Sequence, residues 1–170
     1  MTMDVRRRGR SQGGYTLVEL IVASAIGAMV MAGLTSVFFT SWRAGTTATS
    51  RIQASAQVRN FQFDAADDFA LSGAPVISSC SPNDPPPCTI TLSGWNYTNP
   101  AYTATYRWDG ANVDRIVGQN PPVHAATNVI GFSAYVAGSV PYQTVVVTLT
   151  VKVQAYVETQ TMRFYPRLNP

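Results

Sequence analysis

Few residues of this 170-residue chain have the types and spacing that chemistry demands. Cys80 and Cys88, its only cysteines, bracket Ser-Pro-Asn-Asp-Pro-Pro-Pro. In an exported loop such a pair forms a disulfide that pins the loop; the competing reading is two free thiols in a reducing compartment. Zinc lacks ligands, because His124 is the single histidine and no further cysteine completes a tetrahedral site. His124, in Pro121-Pro122-Val123-His124, has no sequence partner and reads as a surface or loop residue. Asp64, Asp67 and Asp68 suggest a carboxylate site, but at helical spacing they read as a solvated polar stripe. Asp84 and Asp109 fall in turn-like segments, where Asp bonds to nearby backbone. No phosphate-cradling glycine loop, nucleophile elbow, metal-ligand run or calcium loop stands out. The chain is therefore expected to be no enzyme and to carry no cofactor or metal. Glu19 is different: it stands at the start of a long apolar run, where a carboxylate costs a few kcal/mol and by default marks a function.

The element that must position Glu19 is a membrane helix. From Leu20 to Trp42 there is no charge, and this run exceeds the roughly 20 residues that span a bilayer as a helix. It occurs once, and the mean hydropathy of the whole chain is only +0.03, which argues against a multi-span protein. Arg6, Arg7, Arg8 and Arg10 precede it, so the N-terminus is expected to stay cytoplasmic and the chain after Arg43 to cross, with Trp42 and Arg43 as an interfacial anchor. These arginines also account for the formal charge of +3, since from Tyr15 onward eight Arg/Lys face eight Asp/Glu. Gly27 and Gly33 within the span permit close helix contact or are ordinary small residues of a membrane helix.

Three readings compete for this N-terminus. A secretory signal has an apolar core of about 7–15 residues and a small-residue cleavage site, and the run here is too long. A plain anchor fits the length but leaves Glu19 without a reason. The third rests on Gly13-Gly14-Tyr15-Thr16-Leu17-Val18-Glu19-Leu20, which resembles the type III signal of type IV pilins and pseudopilins. The resemblance implies that a prepilin peptidase cuts between Gly14 and Tyr15 and methylates Tyr15 as the new N-terminus. Tyr15 departs from the family's usual Phe but keeps an aromatic ring. The family's conserved glutamate falls on Glu19, implying a role in subunit assembly. Physically, Gly14 offers the protease an extended backbone without a side chain. The cut removes the four leader arginines and frees an amino group that can pair with Glu19 of a neighbouring subunit, offsetting the cost of its apolar surroundings.

Beyond the span, Ala54, Val58, Phe61, Ala65 and Phe69 recur at helical spacing, with Gly73 and Pro75 as a stop, so one helix from Tyr15 to about Leu71 is predicted. The Ser/Thr-rich stretch from Gly45 to Ser50 is its weakest part and is expected to bend. Strands are predicted over Thr89–Leu92, over a segment placing Tyr102, Ala104, Tyr106 and Trp108 on one face, over Asn112–Val117 after an Asp109-Gly110 turn, and over Val129–Val136. The longest runs from Thr144 to Glu158, with Val145, Val147, Leu149, Val151, Val153, Ala155 and Val157 on one side, and Gln160–Arg167 adds a last short strand. The expected fold class is α+β and pilin-like, a long N-terminal helix packed on an antiparallel β-meander head. The expected divisions are a cleaved leader at 1–14, a transmembrane and assembly half-helix at 15–44, an amphipathic half-helix at 45–73 and a sheet head at 74–170.

The head resembles the W-type minor pilins and the J-type minor pseudopilins of type II secretion in Gln57–Gly73, Thr105–Gly110, Ala126–Phe132 and the strand from Val145. That resemblance implies a structural minor subunit that primes assembly of a type IV pilus or type II secretion pseudopilus, or sits near its tip. Its partners would be the prepilin peptidase, other pilin or pseudopilin subunits and an inner-membrane assembly platform. It would be a single-pass protein of the cytoplasmic membrane, its head extracytoplasmic and later part of a cell-surface or periplasmic filament. The alternative is a pilus-borne binding module, an adhesin or DNA-uptake (competence) subunit. Lys152, Arg107, Arg115, Arg163 and Arg167 are scattered and balanced by acids, which argues against nucleic acid. Trp95, Tyr97 and Tyr102 would serve adhesion if exposed, although core packing is the ordinary fate of aromatics in a sheet. A non-assembling single-span envelope protein would leave Gly14 and Glu19 unexplained.

Overall fold

In a computed structural model of the chain, the described residues are 14–96, 99–139 and 143–167. The chain divides into two compact units, Met1–Ala44 and Gly45–Pro170. The α+β expectation holds: among the described residues one helix, α1 (Leu17–Leu71), precedes eight strands in two antiparallel sheets. α1 is helical throughout Gly45–Ser50. The hydroxyls of Thr49 and Ser50 bond back to the carbonyls of Gly45 and Thr46 at 3.0 and 2.9 Å, which satisfies them along the helix itself.

In the first unit α1 contains an apolar window of mean hydropathy 2.2, none of it buried. Ser24, Thr35 and Thr40 donate to the carbonyls of Ile21, Met31 and Ser36, so their hydroxyls are satisfied along the helix itself. Phe38 and Trp42 lie with ring centroids 6.2 Å apart.

The second unit holds two sheets in simple meander order. The first comprises β1 (Val76–Ser78), β2 (Cys88–Asn96), β3 (Asn99–Trp108), β4 (Val113–Val117) and β5 (Val123–Ala126). The second comprises β6 (Val129–Ala137), β7 (Thr144–Val153) and β8 (Tyr156–Phe164). The predicted stripe of α1, Ala54, Val58, Phe61, Ala65 and Phe69, is fully or almost fully buried. Phe61 meets Tyr106 of the first sheet at 5.5 Å and Phe132 of the second at 5.7 Å, both edge-to-face, and Phe69 stacks on Phe164 at 4.6 Å. The helix thus covers the seam between the sheets. Three main-chain or indole bonds also join the two halves of the head: Val129 N to Ala111 O at 2.7 Å, Ala134 N to Cys80 O at 2.9 Å and Trp108 Nε1 to Val129 O at 3.3 Å.

Two strand expectations need correction. Thr144–Glu158 is not one strand but two, β7 and β8, joined by the two-residue turn Gln154-Ala155. A two-residue turn reverses which parity faces the core: the odd positions of β7 point inward, while Met162 and Phe164 mark the even positions of β8 as inward. Val157 therefore points outward, although its apolar type continues the alternation through the turn and hides it. The turn carries no glycine or asparagine; Gln154 itself adopts φ +55°. The short strand expected at Gln160–Arg167 is the second half of β8, which ends at Phe164. The brief edge strands β1 and β5 had no expectation of their own.

Where the helix ends, Ser72 forms a bridge to Gly94 of β2 and Gly73 N bonds Ser93 O at 2.9 Å. A Cβ on Gly94 would lie 1.9 Å from the carbonyl oxygen of Leu71, so only glycine permits this approach.

Candidate functional site

At the start of α1, Gly14 and Tyr15 are not helical, Tyr15 is exposed, and no atom lies within 4 Å of a Cβ placed on Gly14. Thr16 and Glu19 then form a reciprocal cap: Glu19 N donates to Thr16 Oγ1 at 3.3 Å, and Thr16 N and Oγ1 each donate to Glu19 Oε2 at 3.2 Å. This is the capping box, in which a hydroxyl and a carboxylate three residues apart satisfy each other's orphan backbone donors. A carboxylate in the first turn is also favoured by the helix dipole. The bond between Gly14 and Tyr15 therefore lies in an exposed, non-helical stretch directly before a well-capped apolar helix. The other leader residues, 1–13, lie outside the described residues.

Residues 9–35 match the family model described as the prokaryotic N-terminal methylation motif. This is the prepilin-type signal of type IV pilins and pseudopilins. It implies processing by a prepilin peptidase and assembly with other pilin subunits, and together with the exposed apolar helix it fits membrane anchoring. Comparison with curated proteins and with solved structures returned no match.

The head behind this prepilin signal contains a buried polar cluster. Asp68, expected in a solvated stripe, is 1% exposed. Its Oδ2 accepts from Arg115 Nε and its Oδ1 from Arg115 Nη2, both at 2.7 Å, in a bidentate fork. Tyr106 donates its hydroxyl at 2.5 Å, and Tyr102 donates to the same carboxylate. Burial pushes the Asp68 carboxyl up, but the bonds from Arg115, Tyr102 and Tyr106 outweigh it and hold the group below its ordinary value of 3.8. Burial and the adjacent carboxylate push the Tyr102 phenol up to about 12, and the same causes, more strongly, raise Tyr106. Asp68 is held there because it follows Ala65 by three residues and Phe61 by seven, on the flank of the apolar stripe. Arg115 lies between Val113 and Val117, on the inward parity of β4. A charged residue at an inward strand position, with an acid on the helix stripe, is the signal that could have found the pair in the sequence. Beside it lies an open cleft of about 420 Å³ lined in part by Asp67, Leu71, Arg115, Asn120 and Val123.

Tyr102, a candidate for adhesion if exposed, is buried at 7% and tied to Asp68. The side chains of Trp95 and Tyr97 lie outside the described residues. His124 is at the surface as expected, its side chain 61% exposed, but on β5 rather than in a loop, with its Nδ1 2.5 Å from Asp114 Oδ1 on the neighbouring strand. Asp84 and Asp109 serve the turns as expected. Asp84 accepts from Ser81 N at 2.8 Å; Asp109 accepts from Asn112 N and Ala111 N at 2.6 and 2.8 Å, which holds its carboxyl below its ordinary value. Cys80 and Cys88 are joined in a disulfide and both are buried. Among the described residues no group of three His, Cys, Asp or Glu could hold a metal ion.

Proposed function

We propose that this protein is a minor pilin or minor pseudopilin. It is cut between Gly14 and Tyr15, methylated at Tyr15, and assembled through α1 into a type IV pilus or type II secretion pseudopilus, where it primes assembly or occupies a place near the tip. The observation that carries this reading is the methylation-motif match at residues 9–35, which covers Gly14, Tyr15 and Glu19 and runs into a helix whose apolar window is wholly exposed. Residues 1–14 are the leader, 15–44 enter the membrane and later the filament, and 45–73 join the helix to the sheet head of 74–170. In this scheme Thr16 caps the Glu19 carboxylate while the subunit waits in lipid, and the charged amino group of Tyr15 on a neighbouring subunit pairs with it on incorporation. Tyr102 and Arg115, which a binding-module reading would use, are both engaged inside the head.

The test is Glu19→Ala co-expressed with the filament machinery. Processing by the peptidase should stay near normal, while the amount in sheared filaments should fall by roughly a hundredfold, the factor that about 3 kcal/mol of lost pairing represents. Normal incorporation of this variant would remove Glu19 from the assembly step.

A further inference from the structure

Sheets that must stay apart protect their edges with short strands, prolines, bulges or cover. Three of the four outer strands here do so. β1 has three residues and follows Pro75; β5 has four and follows Pro121-Pro122. β6 carries a register shift between Val129 and Gly131, and its Ala134 N–H is bonded to Cys80 O. β8 has nine residues, no proline or lysine, and an unbroken register with β7, and no described strand lies on its other side. Of its two charges, Glu158 accepts from Ser55 Oγ on α1 at 2.7 Å, which leaves only Arg163 to guard the edge.

The pairing register shows which groups face outward. The two-residue turn makes Val153 and Tyr156 a hydrogen-bonded pair, so the even residues of β8 bond to β7. Val157, Thr159, Thr161 and Arg163 turn their N–H and C=O groups away. The hydroxyl contacts agree: Thr148 and Thr161 lie 3.1 Å apart and Thr150 and Thr159 3.0 Å, the closeness expected of non-hydrogen-bonded pairs. This outward set is symmetric about Gln160, with Thr159 and Thr161 on either side.

We infer that the β8 edge is a self-recognition surface, pairing antiparallel with β8 of a second copy about a twofold axis at Gln160. In that register all four outward residues find partners, Thr159 facing Thr161 of the partner subunit and Val157 facing Arg163 of the partner subunit. The two threonine rows of one sheet then continue into the other, giving a six-stranded sheet. Ser55 lies beside Glu158, and Phe61 and Phe69 beside Phe164, so β8 runs in the same direction as this part of α1. The twofold therefore joins heads of opposite orientation. It suits copies presented from facing filaments or surfaces, not neighbours within one filament of uniform polarity. In this last respect the inference rests on the filament reading; the pairing itself does not.

The experiment is sedimentation equilibrium of the peptidase-processed full chain in detergent micelles, with its mass recorded so that processing is read separately. The wild type should sediment as a dimer. Thr161→Pro removes an outward N–H without removing a bond to β7, and it should sediment as a monomer while keeping a folded far-ultraviolet spectrum. If that variant fails to fold, Gln160→Cys decides. Gln160 would face its own copy across the axis at about 4.5 Å between Cα atoms, within disulfide reach, while the native cysteines are already paired. Oxidation should then give a covalent dimer. A monomeric wild type, a folded Thr161→Pro that stays dimeric, or a Gln160→Cys that stays uncrosslinked would each overturn the inference.

Discussion

A buried carboxylate costs several kcal/mol unless its lone pairs meet donors, and Asp68 meets four: two from the Arg115 fork and two phenols. Removing it strands all four donors, on three side chains, against an apolar core. Asp68→Ala should therefore lower the unfolding free energy of the head by about 2–3 kcal/mol, less than for a wholly buried pair because Arg115 is 28% exposed. Urea denaturation at neutral pH measures this, and an unchanged midpoint would contradict it. The pH dependence has two limbs. The Asp68 carboxyl is held below 3.8, so its contribution is complete above about pH 4 and is lost as the pH falls through the folded value. Tyr102 is raised from 10.0 to about 12, so its contribution is complete below pH 10 and is lost as the pH climbs towards 12. Asp68→Ala should lose the acid limb and weaken the alkaline one, because burial, the larger cause of the Tyr102 shift, remains. Asp68 was hidden in the sequence because the three acids at helical spacing look alike; only the phase of Phe61, Ala65 and Phe69 separates it from Asp64 and Asp67.

At the scale of elements, α1 is the most legible, because an uncharged run and a helical apolar stripe are strong periodic signals and both halves obey them. The strands were legible where turn residues punctuate them, as at Asp109-Gly110. They were misread where Gln154-Ala155 turns without such residues and Val157 keeps the apolar alternation. Gln154 tolerates its left-handed backbone while its side chain accepts from the buried Ser50 hydroxyl at 3.0 Å, a tertiary contact that local sequence does not announce. The disulfide loop is another element with a reach beyond itself, since the Cys80 carbonyl holds Ala134 of the second sheet. Cys80→Ser should destabilise the head by about 2–3 kcal/mol through the released loop entropy. Hydrogen exchange at the Ala134 amide should rise with it; protection equal to wild type would show that the loop does not tie the sheets. Gly94→Ala should cost about 1–3 kcal/mol, because the helix end must move away from β2. A melting temperature within error of wild type would contradict that close approach.

For the whole molecule, charge and hydropathy divide the labour. The leader carries the net charge of +3, the helix carries the apolar run, and the rest is neutral in sum. This distribution suits a chain whose basic tag is removed, whose helix passes from lipid into a filament, and whose head folds around the seam of two sheets. The signal was legible because Gly14, Tyr15 and Glu19 stand in fixed relation to the apolar run, and the motif match at residues 9–35 covers them. The head's sheet division was not, because pairing between distant strands leaves no local trace beyond alternation. Assembly depends on processing, which intact-mass and N-terminal analysis of the chain expressed with and without a prepilin peptidase reads out. With the peptidase, the protein should begin at a methylated Tyr15 and have lost the first 14 residues; without it, the leader should remain. A chain that keeps its leader in the presence of the peptidase, or is cut near residues 35–45, would be no prepilin substrate at Gly14–Tyr15.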